Sequence, residues 1–88
     1  MRPKNNMRPI HPGEILREEF LRPLEMSANA FARAICVPAN RVRAILSEER
    51  SVTADTARRL AQALGTTPHF WTNIQQSYDL RIAQVPAT

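Results

Sequence analysis

The sequence predicts an all-α domain of five helices. Apolar residues recur at helical intervals of three and four, and a proline or a capping residue stands near the start of most periodic segments. No segment shows the apolar–polar alternation bounded by turn residues that marks a β-hairpin. The chain has 88 residues, the length of one small domain. No apolar run approaches the roughly 18–20 residues that a membrane helix needs.

The first helix is predicted to begin at His11-Pro12-Gly13-Glu14. Proline suits the first helical position, and an acidic residue in the first turn interacts favourably with the helix dipole. An apolar stripe follows at positions 15, 16, 20 and 21, and Pro23 is expected to end the helix. Residues 1–10 lack periodicity, so they are predicted to form a flexible basic arm whose residues Arg2, Lys4 and Arg8 could follow DNA.

A helix-turn-helix is predicted over about residues 27–47. Ser27 is a good N-cap for its first helix. Pro38 is expected to end the first helix, because the residue before a proline avoids the helical region. The second helix then runs to about Ser47. Two short helices joined by a break of about three residues have the layout of this DNA-binding motif.

Two further helices are predicted in the C-terminal half. Thr53 caps the first, and its apolar residues at 57, 60, 61 and 64 follow the helical repeat up to Gly65, which suits a helix end. Thr67-Pro68 opens the last helix, over about 67–83, and residues 84–88 form a tail. Phe70 and Trp71 are expected in the core.

The last helix is also predicted to form a homodimer interface. So small a domain has little room to bury every apolar residue of this helix, and oligomerisation is one way to stabilise it. A two-fold dimer would also present two recognition helices to half-sites about 34 Å apart on one face of DNA. The interface residues expected are Tyr78, Leu80 and Ile82.

The helix after Pro38 has an unusual outer face. On a helical wheel its apolar residues cluster on one side, and Asn40, Ala44 and Ser47 lie opposite, with Arg41 and Arg43 on the shoulders. A solvent-facing helix usually carries Glu, Lys and Gln there. Small residues let a backbone approach closely, asparagine can pair with adenine, and arginine can reach guanine or phosphate. The net charge of +4 agrees with a polyanionic partner but is weak support alone.

The stretch MSANAFARAICVPANRVRAIL resembles the helix-turn-helix of phage-repressor-like (XRE-type) regulators. Together with HPGEILREEFL and SVTADTARRLAQALGTTPHFWTNIQQSYDLR, the span 11–83 resembles the HigA/VapI antitoxin family. The resemblance implies a five-helix, lambda-repressor-like DNA-binding domain. It also implies a homodimer that binds double-stranded operator DNA of its own operon and neutralises HigB, a RelE-like mRNA-cleaving toxin.

The resemblance also assigns residues. It places Ser27 at a phosphate and the recognition-helix residues at base edges or flanking phosphates, and Arg50 in the next connection is a further phosphate candidate. The full set expected at DNA is Ser27, Ala39, Asn40, Arg41, Arg43, Ala44, Ser47 and Arg50. Two residues depart from the pattern: Cys36 and Glu48 stand where it prefers glycine. Both turns are expected to need a positive φ, which costs a non-glycine residue about 1 kcal/mol.

Other classes of function have less support. His11, Cys36 and His69 lie in separate elements without ligand spacing, so we expect no enzyme, metal site or cofactor. A single cysteine excludes an internal disulfide and fits a cytoplasmic protein. Two alternatives stay open: a repressor without a toxin partner, and an interaction module that has lost DNA binding. Arg58 and Arg59 form either a solvated face or a contact to phosphate or toxin.

Overall fold

A computed structural model describes residues 8–84, with side chains to residue 83, and over this range the chain forms five helices and no strand. Most of the predicted N-terminal arm (residues 1–7) and most of the predicted tail (85–88) lie outside the described residues. Within the described range, no helix is long and apolar enough to cross a membrane. The helices are α1 over 12–24, α2 over Ala28–Ile35, α3 over Ala39–Leu46, α4 over Ala54–Leu64 and α5 over Pro68–Gln84.

Helix α1 is longer and less regular than predicted. It starts as an α-helix at Pro12–Ile15, widens into a π-helix over Leu16–Leu21 and closes with Arg22–Leu24. Pro23 therefore does not end the helix but lies in its last turn. A proline ring needs room at the carbonyl four residues before it, and the wider π-helical turn, in which the Arg22 amide donates to the Arg17 carbonyl, provides that room.

Four of the helices end on a residue in the left-handed conformation. These residues are Glu25 (φ 53°), Cys36 (φ 59°), Glu48 (φ 67°) and Gly65 (φ 74°). In each case the next amide reaches back to a carbonyl of the last turn, as in the 3.0 Å bond from the Val37 N–H to Ala32. The positive φ expected at Cys36 and Glu48 is therefore confirmed, whereas Glu25 was not anticipated.

The core lies where all five helices meet, and Trp71 of α5 is fully buried within it. The Trp71 indole N–H donates to Thr66 Oγ1 at 2.7 Å, so its polar edge is satisfied. Phe70 was predicted to share the core, but it is 39% exposed and presents an edge contact to Trp71 at 5.0 Å. Adjacent helical residues point about 100° apart, so one stripe cannot bury both rings fully.

Candidate nucleic-acid interface

Helix α3 packs one face inward and presents the other to solvent. Val42 and Ile45 are each 2% exposed, so the opposite face of the helix is free. Asn40, Arg43 and Ser47 are exposed there, as the wheel predicts, and Ala44 is half-buried between them. Ala39, the first residue of the helix, is half-buried and packs against the core. An open groove of about 600 Å³ runs along this face. The face has polar side chains at its edges and a small side chain at its centre, which suits insertion into the major groove.

The start of α2 lies beside this face. Ser27 is the N-cap, as predicted, and its Oγ accepts a hydrogen bond from the Ala30 amide at 3.0 Å. The Ser27 side chain is exposed, and its hydroxyl hydrogen is still available as a donor. With the positive end of the α2 dipole behind it, this position suits a phosphate oxygen.

Helix α1 contacts the backbone of α3. Gly13 lies so close to α3 that a Cβ atom there would be 1.8 Å from the Ile45 carbonyl oxygen. The Arg17 guanidinium donates to the Leu46 carbonyl at the end of α3, and it lies 3.6 Å from the Glu48 carboxylate. These contacts fix the C-terminal end of α3 and satisfy a carbonyl that the helix leaves unpaired.

Sequence reasoning missed one residue of this surface. Asn29 of α2 accepts a hydrogen bond from Arg43 through its Oδ1 atom, with an Nη1–Oδ1 distance of 2.5 Å. Both side chains are exposed. Nothing in the spacing of the sequence points to this pair, because the bond depends on the crossing of α2 and α3.

The helix-turn-helix sequence family matches residues 16–71, which is more than half of the chain. This chain belongs to that family. Its members of XRE type include the HigA and VapI proteins that the sequence resembles. The family is one of non-enzymatic DNA-binding regulators.

Three relatives illustrate the similarity. Virulence-associated protein I of Dichelobacter nodosus is 49% identical over 92% of this chain and 75% of its own length. An addiction module antidote protein of the HigA family from Coxiella burnetii is 58% identical, with a TM-score of 0.83 over 86% of this chain and 83% of that one. The Pseudomonas aeruginosa antitoxin HigA, solved with the higBA promoter, is 49% identical, with a TM-score of 0.85 over the same two shares.

Several arginines of this helix-turn-helix protein are engaged within the chain. Arg8, expected in the mobile basic arm, pairs with Glu14 at 2.8 Å. Arg58 and Arg59 both bind Asp55, and Arg59 also donates to the Ile35 carbonyl at 3.1 Å. These hydrogen bonds, first from Arg59 and then from Arg58, lower the pKa of Asp55. Arg59 therefore braces the end of α2 from α4.

Two predicted phosphate contacts have different surroundings. Arg41 is half-buried on the shoulder of α3, and Arg50 is exposed in the connection before α4. That connection is tied to α5, because the buried Gln75 side chain accepts from the Val52 amide at 2.7 Å. Arg50 is thus displayed by a segment with a fixed backbone.

The end of α5 carries the residues predicted for the dimer interface. Leu80 is 57% and Ile82 47% exposed, whereas Tyr78 is half-buried. The Tyr78 ring packs edge-on against His11 at 4.8 Å, so part of it is used within the chain. Tyr78 and Ile82 share a helical face with Trp71, and Leu80 points elsewhere.

His11 has a structural position at the start of α1. It is 2% exposed, and its Nδ1 accepts from the Gly13 amide at 2.8 Å as the N-cap of α1. Burial lowers the pKa of His11, although Glu48, the Arg50 backbone and Asp79 act in the opposite direction. In the part of the chain that the structure describes, no three His, Cys, Asp or Glu residues converge to hold a metal ion.

Proposed function

We propose that this chain is a homodimeric operator-binding repressor and the antitoxin of a HigB/RelE-like mRNA-cleaving toxin, acting in the cytoplasm. The observation that carries the proposal is the free face of α3 with Asn40 and Arg43, on the fold of a family whose P. aeruginosa member is solved with its promoter. The proposal goes beyond this observation in three respects, namely the identity of the toxin, the dimer and the roles of individual residues.

In the proposed complex α3 enters the major groove. Ala39 and Ala44 allow close approach, Asn40 is suited to adenine, and Arg43 to the O6 and N7 acceptors of guanine. The remaining contacts go to phosphates and set the register without reading sequence. They are made by Ser27, Arg41, Ser47 and Arg50. Occupation of the promoter then blocks transcription.

DNA binding is tested by fluorescence anisotropy across a salt series, with the duplex upstream of the gene and a scrambled duplex. We expect a specificity gap of about 10³ or more and a steep loss of affinity with salt. Weak and equal binding to both duplexes would contradict the repressor and favour the interaction module.

Variants separate the two roles of arginine. Arg43→Ala should reduce the free energy of operator binding by about 1–3 kcal/mol and relax the sequence preference at one base pair. Arg41→Ala should instead weaken binding to all sequences alike and reduce the dependence of affinity on salt. Arg58→Ala is the matched control, because Arg58 is an exposed arginine of α4, outside the helix-turn-helix, and is already paired with Asp55 of the same helix. An equal loss from Arg58→Ala would contradict the assignment of α3 as the reading helix.

The toxin part of the proposal follows from the family. We expect the product of a neighbouring toxin-sized reading frame to co-purify with this chain and to be inactive as a ribonuclease in the complex. Co-expression should restore the growth of cells that make the toxin. If no such partner binds while operator binding holds, the chain is a stand-alone repressor.

A further inference from the structure

The hydrogen bond between Asn29 and Arg43 joins the two helices of the helix-turn-helix on their exposed side. Asn29 is the second residue of α2, and Arg43 lies in the middle of α3. Each side chain is exposed, so the bond does not serve to fill the core. It fixes where the guanidinium points: toward α2 rather than along α3.

Arg43 supplies the donors that would face DNA. Its Nη1–H donates to the Asn29 Oδ1 atom, and four of its five N–H donors remain for a base. The guanidinium has no acceptor. In the major groove guanine shows two acceptors, N7 and O6, whereas adenine N6 and cytosine N4 are donors that a guanidinium cannot accept.

Holding the guanidinium in place also favours binding. A free arginine side chain loses rotamer freedom when it contacts a base, and a side chain already held by a neighbour loses less. Replacing Asn29 would leave Arg43 able to reach DNA but no longer limited to one direction. The loss would therefore fall on discrimination at the base pair that Arg43 reads.

We propose that Asn29 is a specificity-determining residue that positions Arg43 for one guanine of the operator. The inference rests on the proposed function, since it assumes that α3 reads DNA. It adds a residue of α2 to the reading surface and names the base that the pair selects.

The test compares the wild type, Asn29→Ala, Arg43→Ala and the double variant on a set of operator duplexes, each with one base pair changed. Asn29→Ala should weaken operator binding about three- to tenfold and relax discrimination at the same base pair as Arg43→Ala. That base pair should contain guanine. The double variant should bind no more weakly than Arg43→Ala alone, because coupled residues are not additive.

Asn73→Ala is the matched control, because Asn73 is an exposed asparagine of α5 away from this surface. Asn73→Ala should leave the affinity for every duplex unchanged. The thermal unfolding midpoint of Asn29→Ala should match that of the wild type. Additive losses, relaxation at a different base pair, or a uniform loss on all duplexes would overturn the inference. Failure of the proposed function would be seen separately, as equal binding of the wild type to operator and scrambled DNA.

Discussion

At the residue scale, three non-glycine residues occupy left-handed helix ends. In the left-handed region the Cβ atom approaches the following carbonyl, which costs about 1–2 kcal/mol. Cys36 and Glu25 are exposed, and neither makes a described side-chain bond that would offset this strain. Glu48 differs, because its carboxylate lies 3.6 Å from the Arg17 guanidinium.

Replacing Cys36 with glycine should therefore stabilise the domain. We expect the free energy of unfolding in urea to rise by about 1 kcal/mol, because glycine adopts a positive φ without the Cβ conflict. Cys36→Ala is the control that keeps the Cβ atom, and it should change stability by less than about 0.5 kcal/mol. Equal gains for both variants would show that the thiol, and not backbone strain, is responsible.

His11 is the second residue whose physical state affects the whole domain. Its buried Nδ1 accepts a hydrogen bond, so protonation would break the N-cap of α1. The pKa of His11 is lowered in the folded chain, mainly by burial, against the opposing carboxylates of Glu48 and Asp79. The unfolded chain therefore takes up a proton near pH 6.5 before the folded chain does.

Stability should consequently fall as the pH decreases below about 7, and the proton uptake by His11 should be complete once the pH is below the lowered pKa. The measurement is urea unfolding at several pH values between 7.5 and 5. His11→Asn keeps a capping acceptor and removes the titration. It is expected to be less stable at pH 7.5 but to show a flatter slope with pH, and parallel curves for the two proteins would contradict the assignment.

At the element scale, the contact with α1 fixes the position of α3 in the domain. Backbone meets backbone there, since Gly13 lies against the Ile45 carbonyl. Helix α1 can approach this closely because Gly13 has no side chain, and the Arg17 guanidinium completes the junction at Leu46.

Gly13→Ala should destabilise the domain by about 2 kcal/mol or more, because the added methyl would overlap a carbonyl oxygen that cannot move without shifting α3. Gly65→Ala is the matched control. A Cβ there meets no neighbouring atom, but Gly65 has a φ of 74°, so we expect a cost of only about 1 kcal/mol. Urea unfolding of both variants measures the difference, and a smaller cost at Gly13 would contradict the close packing.

Local signals were sufficient to predict four of the five helices and the start of the first. Ser27, Thr53 and Gly65 act at the helix ends as their residue types predict, because caps depend on residues within one turn. The π-helical turn before Pro23 and the exposure of Phe70 depend on packing against other helices. The same holds for the site: the outer face of α3 follows from its periodicity, whereas the pairing of Asn29 with Arg43 depends on a crossing of helices.

At the scale of the whole molecule, the outer end of α5 is apolar and uncovered within one chain. The helical face that buries Trp71 also carries the exposed Ile82, and the exposed Leu80 lies on the opposite side of the helix. A second copy of the chain would cover these residues and place two copies of α3 on one side of a DNA duplex. The dimer remains a prediction.

Leu80→Glu and Ile82→Glu should each shift the protein to monomer in sedimentation velocity, because a charge would have to be buried at the interface. Operator binding should weaken in parallel, since two half-sites would no longer be engaged together. Leu24→Glu is the control: Leu24 is a similarly exposed leucine, at 59%, on α1. Dimerisation that survives both α5 variants would place the interface elsewhere.

The junction of α1 with α3 has a consequence for how such a protein can change its target. Gly13 packs against the Ile45 carbonyl, and Arg17 donates a hydrogen bond to the Leu46 carbonyl. Both contacts are to the main chain, and every amino acid has a main-chain carbonyl. Residues on the outward side of α3 take no part in that attachment, so they can be exchanged without loosening the helix. If α3 reads DNA as proposed, a few substitutions on its outward side would change the operator that is bound, while the attachment of α3 and the rest of the domain stay unaltered.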